Sequence, residues 1–414
     1  MPPKVSWKLN LAMLWFSQLV ILAGFQALIP FIPLFIKNEL GVVDQDELAF
    51  AVVAFNFFGT MGYAIFNPIW GMLADRFGVK PMLLRGTFLT CIFFPLMAYS
   101  KTVAVLVLLR FISASCAGTT AASQTMIVRN TPNEHQGFAL GMLTSAIFGG
   151  AMLGYVIGGL LIYYFDYTVA FWVCGIFYLL GGISILFTRD GAIQTPTVKK
   201  KKHSTGSISM LIPKFSRAVW VLLGAFLLIG LVRNFEVPYI ALQVETLTDK
   251  NSAALWTGIT SAAVCAAAII SGIVSGYLVD RLPVVKILIP VLLISAVGLL
   301  LQGWAENLWI FCGARVLLYL AAGGLQPVFQ KVLSSVTPQR KRGGAFGFAS
   351  CFQSLGVMLA AVLSGEVFRH RGTEWVFYAG GVLFILTLPV FIKSVNFAMS
   401  PVKFRRPRRH LAEN

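Results

Sequence analysis

Charge is scarce in this chain. Of its 414 residues only 12% are Asp, Glu, Lys or Arg, and only 16 are acidic. A soluble globular domain carries about 25% charged residues. A water-dissolved chain that is 57% hydrophobic would expose apolar patches too large to stay dispersed. Lipid is the solvent that fits. Catalytic patterns are lacking too. No HExxH, GxSxG, GKS/T or paired-acid motif occurs, so neither an enzyme nor an ATP-driven pump is expected within this chain. The four histidines, His135, His203, His370 and His410, fall in loops or tails without metal-ligand spacing, and no metal or cofactor is expected. Six cysteines form no CxxC pair and sit in or beside apolar runs. They read as small buried apolar residues and not as a disulfide framework.

What is present is a series of apolar runs. About 20 apolar residues span a bilayer, and twelve such runs are broken by polar turns. The first six are 11–36, 49–73, 82–99, 103–128, 138–164 and 168–187. The second six are 218–243, 253–279, 284–302, 308–332, 344–367 and 375–392. The expected organisation is a six-helix bundle over 1–188, a basic linker over 189–217 containing Lys199 to Lys202, a second bundle over 218–394, and a basic tail over 395–414. No cleavage pattern follows the first residues, so the N-terminus is expected to run into the first span.

The net charge of +17 invites a nucleic-acid reading, but the basic residues lie between apolar segments and not on a patterned soluble face. They read as a topology signal. With both termini on the cytoplasmic side, twenty-five of the 33 Lys and Arg residues fall on that side and five on the other. Three, Arg110, Arg233 and Arg315, fall within spans. That bias supports an even number of spans with both ends inside.

The halves also repeat. Gly71-Met-Leu-Ala-Asp75-Arg76 matches Gly276-Tyr-Leu-Val-Asp280-Arg281 at an offset of 205. Arg110 and Gly118 match Arg315 and Gly323 at the same offset. Thr131-Pro132 matches Thr337-Pro338 at 206, as do Gly150, Gly154, Gly158 and Gly159 with Gly356, Ala360, Ser364 and Gly365. A duplicated even number of helices gives parallel repeats around a central cavity, an arrangement of carriers.

The run Gly71-Met-Leu-Ala-Asp75-Arg76-Phe-Gly78-Val-Lys80 resembles the signature loop of the major facilitator superfamily, and it falls between the second and third spans as in that family. The resemblance covers essentially the whole chain. It implies an all-α membrane protein, twelve transmembrane helices in two six-helix bundles around a central cavity. Pro30-Phe-Ile-Pro33, the arginine of Leu109-Arg110-Phe, and the glycine run Gly150-Ala-Met-Leu-Gly154-Tyr155-Val-Ile-Gly158-Gly159 are similar to motifs of its bacterial drug:proton antiporters. The antiporter motif has proline where Tyr155 stands.

The candidate residues follow. Asp75, with Arg76, Gly78 and Lys80, implies a gating loop whose carboxylate docks at the start of the eleventh helix, near Gly343-Gly344, when the cytoplasmic side closes. The plainer reading is a helix end that sets topology. Arg110 and Arg315 are either substrate or proton-coupling groups or structural arginines snorkelling to an interface. Arg233 and Glu236, three apart, face one side of a helix and are expected to pair. Glu236 is the only acid well inside a span. It is the first candidate to carry a proton, with burial and a nearby guanidinium acting on it in opposite directions. The stripe Gly150, Gly154, Gly158 permits close helix approach, either as packing alone or as a surface on which the halves rock. Amides at Gln18, Gln26, Asn56, Asn67, Gln124, Asn234, Gln326, Gln330 and Gln353 are expected to line the cavity, which suits an amphipathic substrate.

The expected function is secondary active transport by alternating access, with proton-coupled export of small amphipathic compounds. The alternative is a carrier or facilitator of organic anions or metabolites. The expected partners are a small-molecule substrate, protons and the lipid bilayer of a bacterial inner membrane, with the protein a monomer.

Overall fold

A computed structural model describes residues 7–189, 215–338 and 342–403. Among these residues there are helices and no strands, and twelve helical stretches are long and apolar enough to cross a membrane. They are α1 (Trp7–Asn38), α2 (Gln45–Ala74), α3 (Val79–Met97), α4 (Val103–Asn130), α5 (Phe138–Tyr164) and α6 (Tyr167–Leu186) in the first half. The second half holds α7 (Arg217–Leu247), α8 (Ala253–Val279), α9 (Val284–Trp304), α10 (Leu308–Val336), α11 (Gly344–Arg371) and α12 (Thr373–Ser400). Lipid satisfies no backbone polar group, so helices are the form that such apolar runs take. The linker lysines Lys199 to Lys202 and the tail beyond Lys403 lie outside the described residues, and helix runs on past α12 to Lys403.

The halves pack alike. α1 lies along α5 as α7 lies along α11, α3 along α6 as α9 along α12, and α2 along α4 as α8 along α10. Polar caps sit at repeat-related places: the Thr102 side chain accepts from Val105 N–H at the start of α4, and Asn307 accepts from Ile310 N–H at the start of α10. Each cap satisfies an N–H that lipid could not. The two halves meet through α5 against α8 and α2 against α11.

Four helices are broken, again in repeat-related pairs. α1 is interrupted by a 3-10 turn at Ile29–Phe31 and α7 by one at Val237–Tyr239, each holding a proline, Pro30 or Pro238. Proline has no N–H and its ring clashes with the carbonyl four residues earlier; helix runs on through Pro68, Pro95 and Pro290, but at Pro30 and Pro238 it gives way to a 3-10 turn. α4 breaks at Ala117–Gly118, where Gly118 has φ of +122°, and α10 at Gly323–Gly324. Broken backbone within a membrane is tolerated where protein or a cavity covers it, and these breaks surround the centre of the molecule.

The glycine stripe is explained by contact. A Cβ placed on Gly150, Gly154 or Gly158 would strike the carbonyl oxygen of Leu19, Ala23 or Ala27, one after another along α1. Gly159 instead faces Ala254 of α8, and Gly258 of α8 faces the carbonyl of Tyr155. So one face of α5 binds it to its own half, and another face of the same turns, with Tyr155 and Gly159, carries the junction between halves.

Candidate functional site

Pro238 decides where the site forms. The helix Arg217–Asn234 stops, and Glu236 caps the short turn before helix resumes at Ile240–Leu247. Glu236 is only 1% exposed. Its Oε1 lies 3.9 Å from Arg315 Nη1 and accepts from the Tyr319 hydroxyl at 3.5 Å. Arg315, 2% exposed, also donates to Gln302 Oε1 at 3.3 Å, and its guanidinium stands 5.8 Å from the ring centres of Phe311 and Tyr319. A buried carboxylate needs a partner of this kind, because removing an unpaired charge from water is expensive.

The expected Arg233–Glu236 pair does not form. The regular helix ends at Asn234, and although Phe235 and Glu236 keep helical dihedrals, the two side chains take different partners. Arg233 turns to Gln326 Oε1 at 3.2 Å, and Gln326 in turn bonds Gln353 at 3.4 Å. Glu236 reaches Arg315 on another helix.

Between the halves lies a cavity of about 560 Å³, within the range of small-molecule sites. Phe25, Gln26, Asn56 and Tyr155 line it from the first half, and Arg233, Asn234, Arg315, Tyr319, Gln326 and Gln353 from the second. Glu236 is not on this wall but behind it, with Arg315 and Tyr319 standing between. Five of the expected amides are thus in place. Gln18 is buried in the first half, where it accepts from Thr120 at 3.1 Å, and Gln124 is exposed. Asn67 lies beside Gly118, and Gln330 is half-buried away from the wall.

Arg110 does not share the site of its repeat partner. It lines a smaller adjoining chamber in the first half, over the rings of Phe25 and Phe55. Arg85 lies inside α3 with its guanidinium 3.3 Å from the centre of the Trp70 ring, whose Nε1 donates to the carbonyl of Ser115 at 2.6 Å. Sequence reasoning missed Tyr319, although it lies one helical turn from Arg315 on α10 and could have been read from that spacing.

One end of the cavity is sealed by links between the halves. Lys37 Nζ pairs with Glu245 Oε2 at 2.5 Å, and Arg369 Nε pairs with Asp46 Oδ1 at 3.1 Å. Gln45 Nε2 donates to the carbonyl of Phe368 at 2.5 Å. Toward the end that carries Trp7 the helices of both halves face open space. A Cβ on Gly71 of α2, Gly141 of α5, Gly272 of α8 or Gly347 of α11 would have no atom within 4 Å.

The signature loop lies at that open end. Gly78, with φ of +97°, turns the chain between the helix ending at Phe77 and α3. A positive φ of this size favours glycine. Lys80 donates to the carbonyls of Leu186 and Thr188 at 2.7 and 2.6 Å, at the C-terminus of α6, where a cation meets the negative end of the helix dipole. The side chains of Asp75, Arg340 and Arg342 lie outside the described residues, and so does the expected docking between them.

A sequence profile described as Major Facilitator Superfamily matches residues 14–283 and 234–412. The chain belongs to the major facilitator superfamily. The transporter is 28% identical over 381 residues to the multi-drug resistance efflux pump PmrA of Streptococcus pneumoniae, covering 91% of this chain and 93% of that one. It is 28% identical over 413 residues to the multidrug resistance protein MdtG of Proteus mirabilis, covering 99% of each. In fold it resembles a bacterial homologue of the human lysosomal transporter Spinster in an inward-facing, occupied conformation, with TM-score 0.72, 14% identity, and 95% and 96% of the two chains covered. A point mutant of the nucleoside transporter NupG gives TM-score 0.68 at 12% identity, with 95% and 99% covered.

Proposed function

We propose that the transporter is a secondary exporter working by alternating access. It exchanges small amphipathic compounds for protons across a bacterial cytoplasmic membrane, with both termini on the cytoplasmic side. The observation that carries this reading is the buried Glu236 behind the cavity wall, in contact with the lining residues Arg315 and Tyr319. A proton entering at the Tyr319 hydroxyl passes to Glu236 Oε1. Neutral Glu236 loosens its hold on Arg315, and the wall of the cavity changes charge. Positive charge in the cavity favours ionised Glu236 and drives the proton off. Substrate and proton then compete, which is the condition for exchange. The names of the PmrA and MdtG relatives agree with export.

The lysine and arginine bias assigns the open end to the cytoplasm, so the state described is inward-facing. In the opposite state the sealed-end links part and the open end closes. Asp75 then docks its carboxylate at the N-terminus of α11, where N–H groups and the positive dipole end favour it. Gly258 against Tyr155 and Gly159 is the pivot.

One observation favours a second reading. Arg233 stands on the wall held by an amide and no carboxylate, which suits an organic anion. Reconstituted vesicles with an internal pH dye separate the two. Amphipathic cations that move with a pH change support exchange. Organic anions that move with none would leave a facilitator.

A further inference from the structure

Arg110 and Arg315 occupy matching places in the two halves, yet only one has a counter-charge. The broken helices α1 and α7 align at an offset of 208, Pro30 with Pro238, so Leu28 stands where the second half has Glu236. At the offset of 205 that relates the arginines, Met97 stands where the second half has Gln302. The positions of both Arg315 partners are therefore held by apolar residues in the first half. Among the described residues Arg110 makes no ion pair and no hydrogen bond, and its Nε is buried without a partner. The rings of Phe25 and Phe55 stand 5.3 and 5.4 Å from its guanidinium carbon.

The space beside it is built for something. A chamber of about 250 Å³ opens there and shares Leu22, Phe25 and Thr60 with the central cavity. It would hold about eight waters at ~30 Å³ each, the size of a one-ring compound. A second electropositive element meets it. The twelve-residue helix Thr119–Asn130 begins on its wall, with Gly118 as N-cap and no side-chain cap on its first turn. In the other half the matching helix, Leu325–Val336, has no side-chain cap either, but the break before it carries a polar contact: Gly324 N–H donates to Ser271 Oγ at 2.9 Å. The residue matching Ser271 in the first half is Phe66, which offers no acceptor. An unpaired guanidinium and an uncapped helix N-terminus thus meet one chamber with aromatic walls and no acid among its lining residues.

We propose that this chamber is an anion subsite that takes the carboxylate of a small, single-ring organic acid, its ring against Phe25 and Tyr63. The site stands apart from the export reading, since it concerns binding and not coupling. The test is calorimetric titration of the purified protein in detergent with benzoate, with benzyl alcohol and benzylamine as the neutral and cationic rings of similar size. Benzoate is expected to bind at least tenfold more tightly than either. Arg110→Gln abolishes that preference and Arg110→Lys keeps most of it. To guard against a variant that does not fold, the wild-type protein is also photolabelled with azidobenzoate. The label is expected on α1, α2 and α4 and is displaced by benzoate. Absence of benzoate binding, equal affinity for the three rings, an anion preference unchanged in Arg110→Gln, or label confined to α7, α8 and α10 would each overturn the proposal.

Discussion

A carboxylate at position 236 has one cation in ion-pair distance among the described residues, Arg315. Removing only that cation leaves the acid buried and alone, which costs about 3–5 kcal/mol in buried pairs of this kind. Arg315→Ala is therefore expected to lower the thermal midpoint in detergent sharply. Glu236→Gln combined with Arg315→Gln is expected to lower it much less, because no bare charge remains. Additive losses in that double-mutant cycle would mean that the two side chains do not interact. The burial of Glu236 was legible in the sequence, since it is the only acid deep within an apolar run. Its partner was not. Spacing along a helix reports neighbours three or four residues away, whereas Arg315 lies on a different helix. The cue was available in Pro238, repeated at Pro30, but helix runs on through Pro68, Pro95 and Pro290, so a proline in an apolar run does not by itself mark a break.

At the scale of the element, the α1–α5 contact rests on glycines that touch carbonyl oxygens. Gly158→Ala puts a methyl against the backbone of Ala27, and backbone cannot rotate away. Overpacking of this sort costs about 1–3 kcal/mol. Gly149→Ala on the same helix meets open space and is expected to leave the thermal midpoint nearly unchanged. Equal effects from the two substitutions would contradict the account. The stripe itself was readable as a period of four. Its direction was not, because the sequence says that a face is flat without saying which helix lies on it. The breaks at Gly118 and Gly323 went unread for a related reason. Each lies inside a run long enough to read as one span, and although the residues after it are more polar than those before it, hydropathy is blind to a change of backbone direction.

The whole molecule was the most legible level. Twelve spans, two related halves and a charge bias are one-dimensional patterns, and lipid converts them almost directly into helices. Which end is open is a property of contacts between distant helices, and only the structure carries it. It has a direct consequence for Cys265, which lines the central cavity. In a variant whose other five cysteines are replaced, a membrane-impermeant thiol reagent is expected to reach Cys265 from the side that bears the termini. From the opposite side it is blocked while Lys37–Glu245 and Asp46–Arg369 hold. Breaking those links with Glu245→Gln and Asp46→Asn is expected to raise reaction from that opposite side. The change is modest, since pairs with an exposed partner contribute about 0.2–1 kcal/mol each.

The central claim is that Glu236 couples the proton to alternating access, and one measurement meets it directly. Wild type and Glu236→Gln are reconstituted in parallel into vesicles. Each is assayed for substrate uptake driven by a pH gradient and for exchange of labelled against unlabelled substrate without one. The account predicts that the variant still exchanges but no longer accumulates, because the cavity is intact and the proton carrier is gone. Accumulation driven by pH in Glu236→Gln at the wild-type rate would contradict it and move the coupling to another residue.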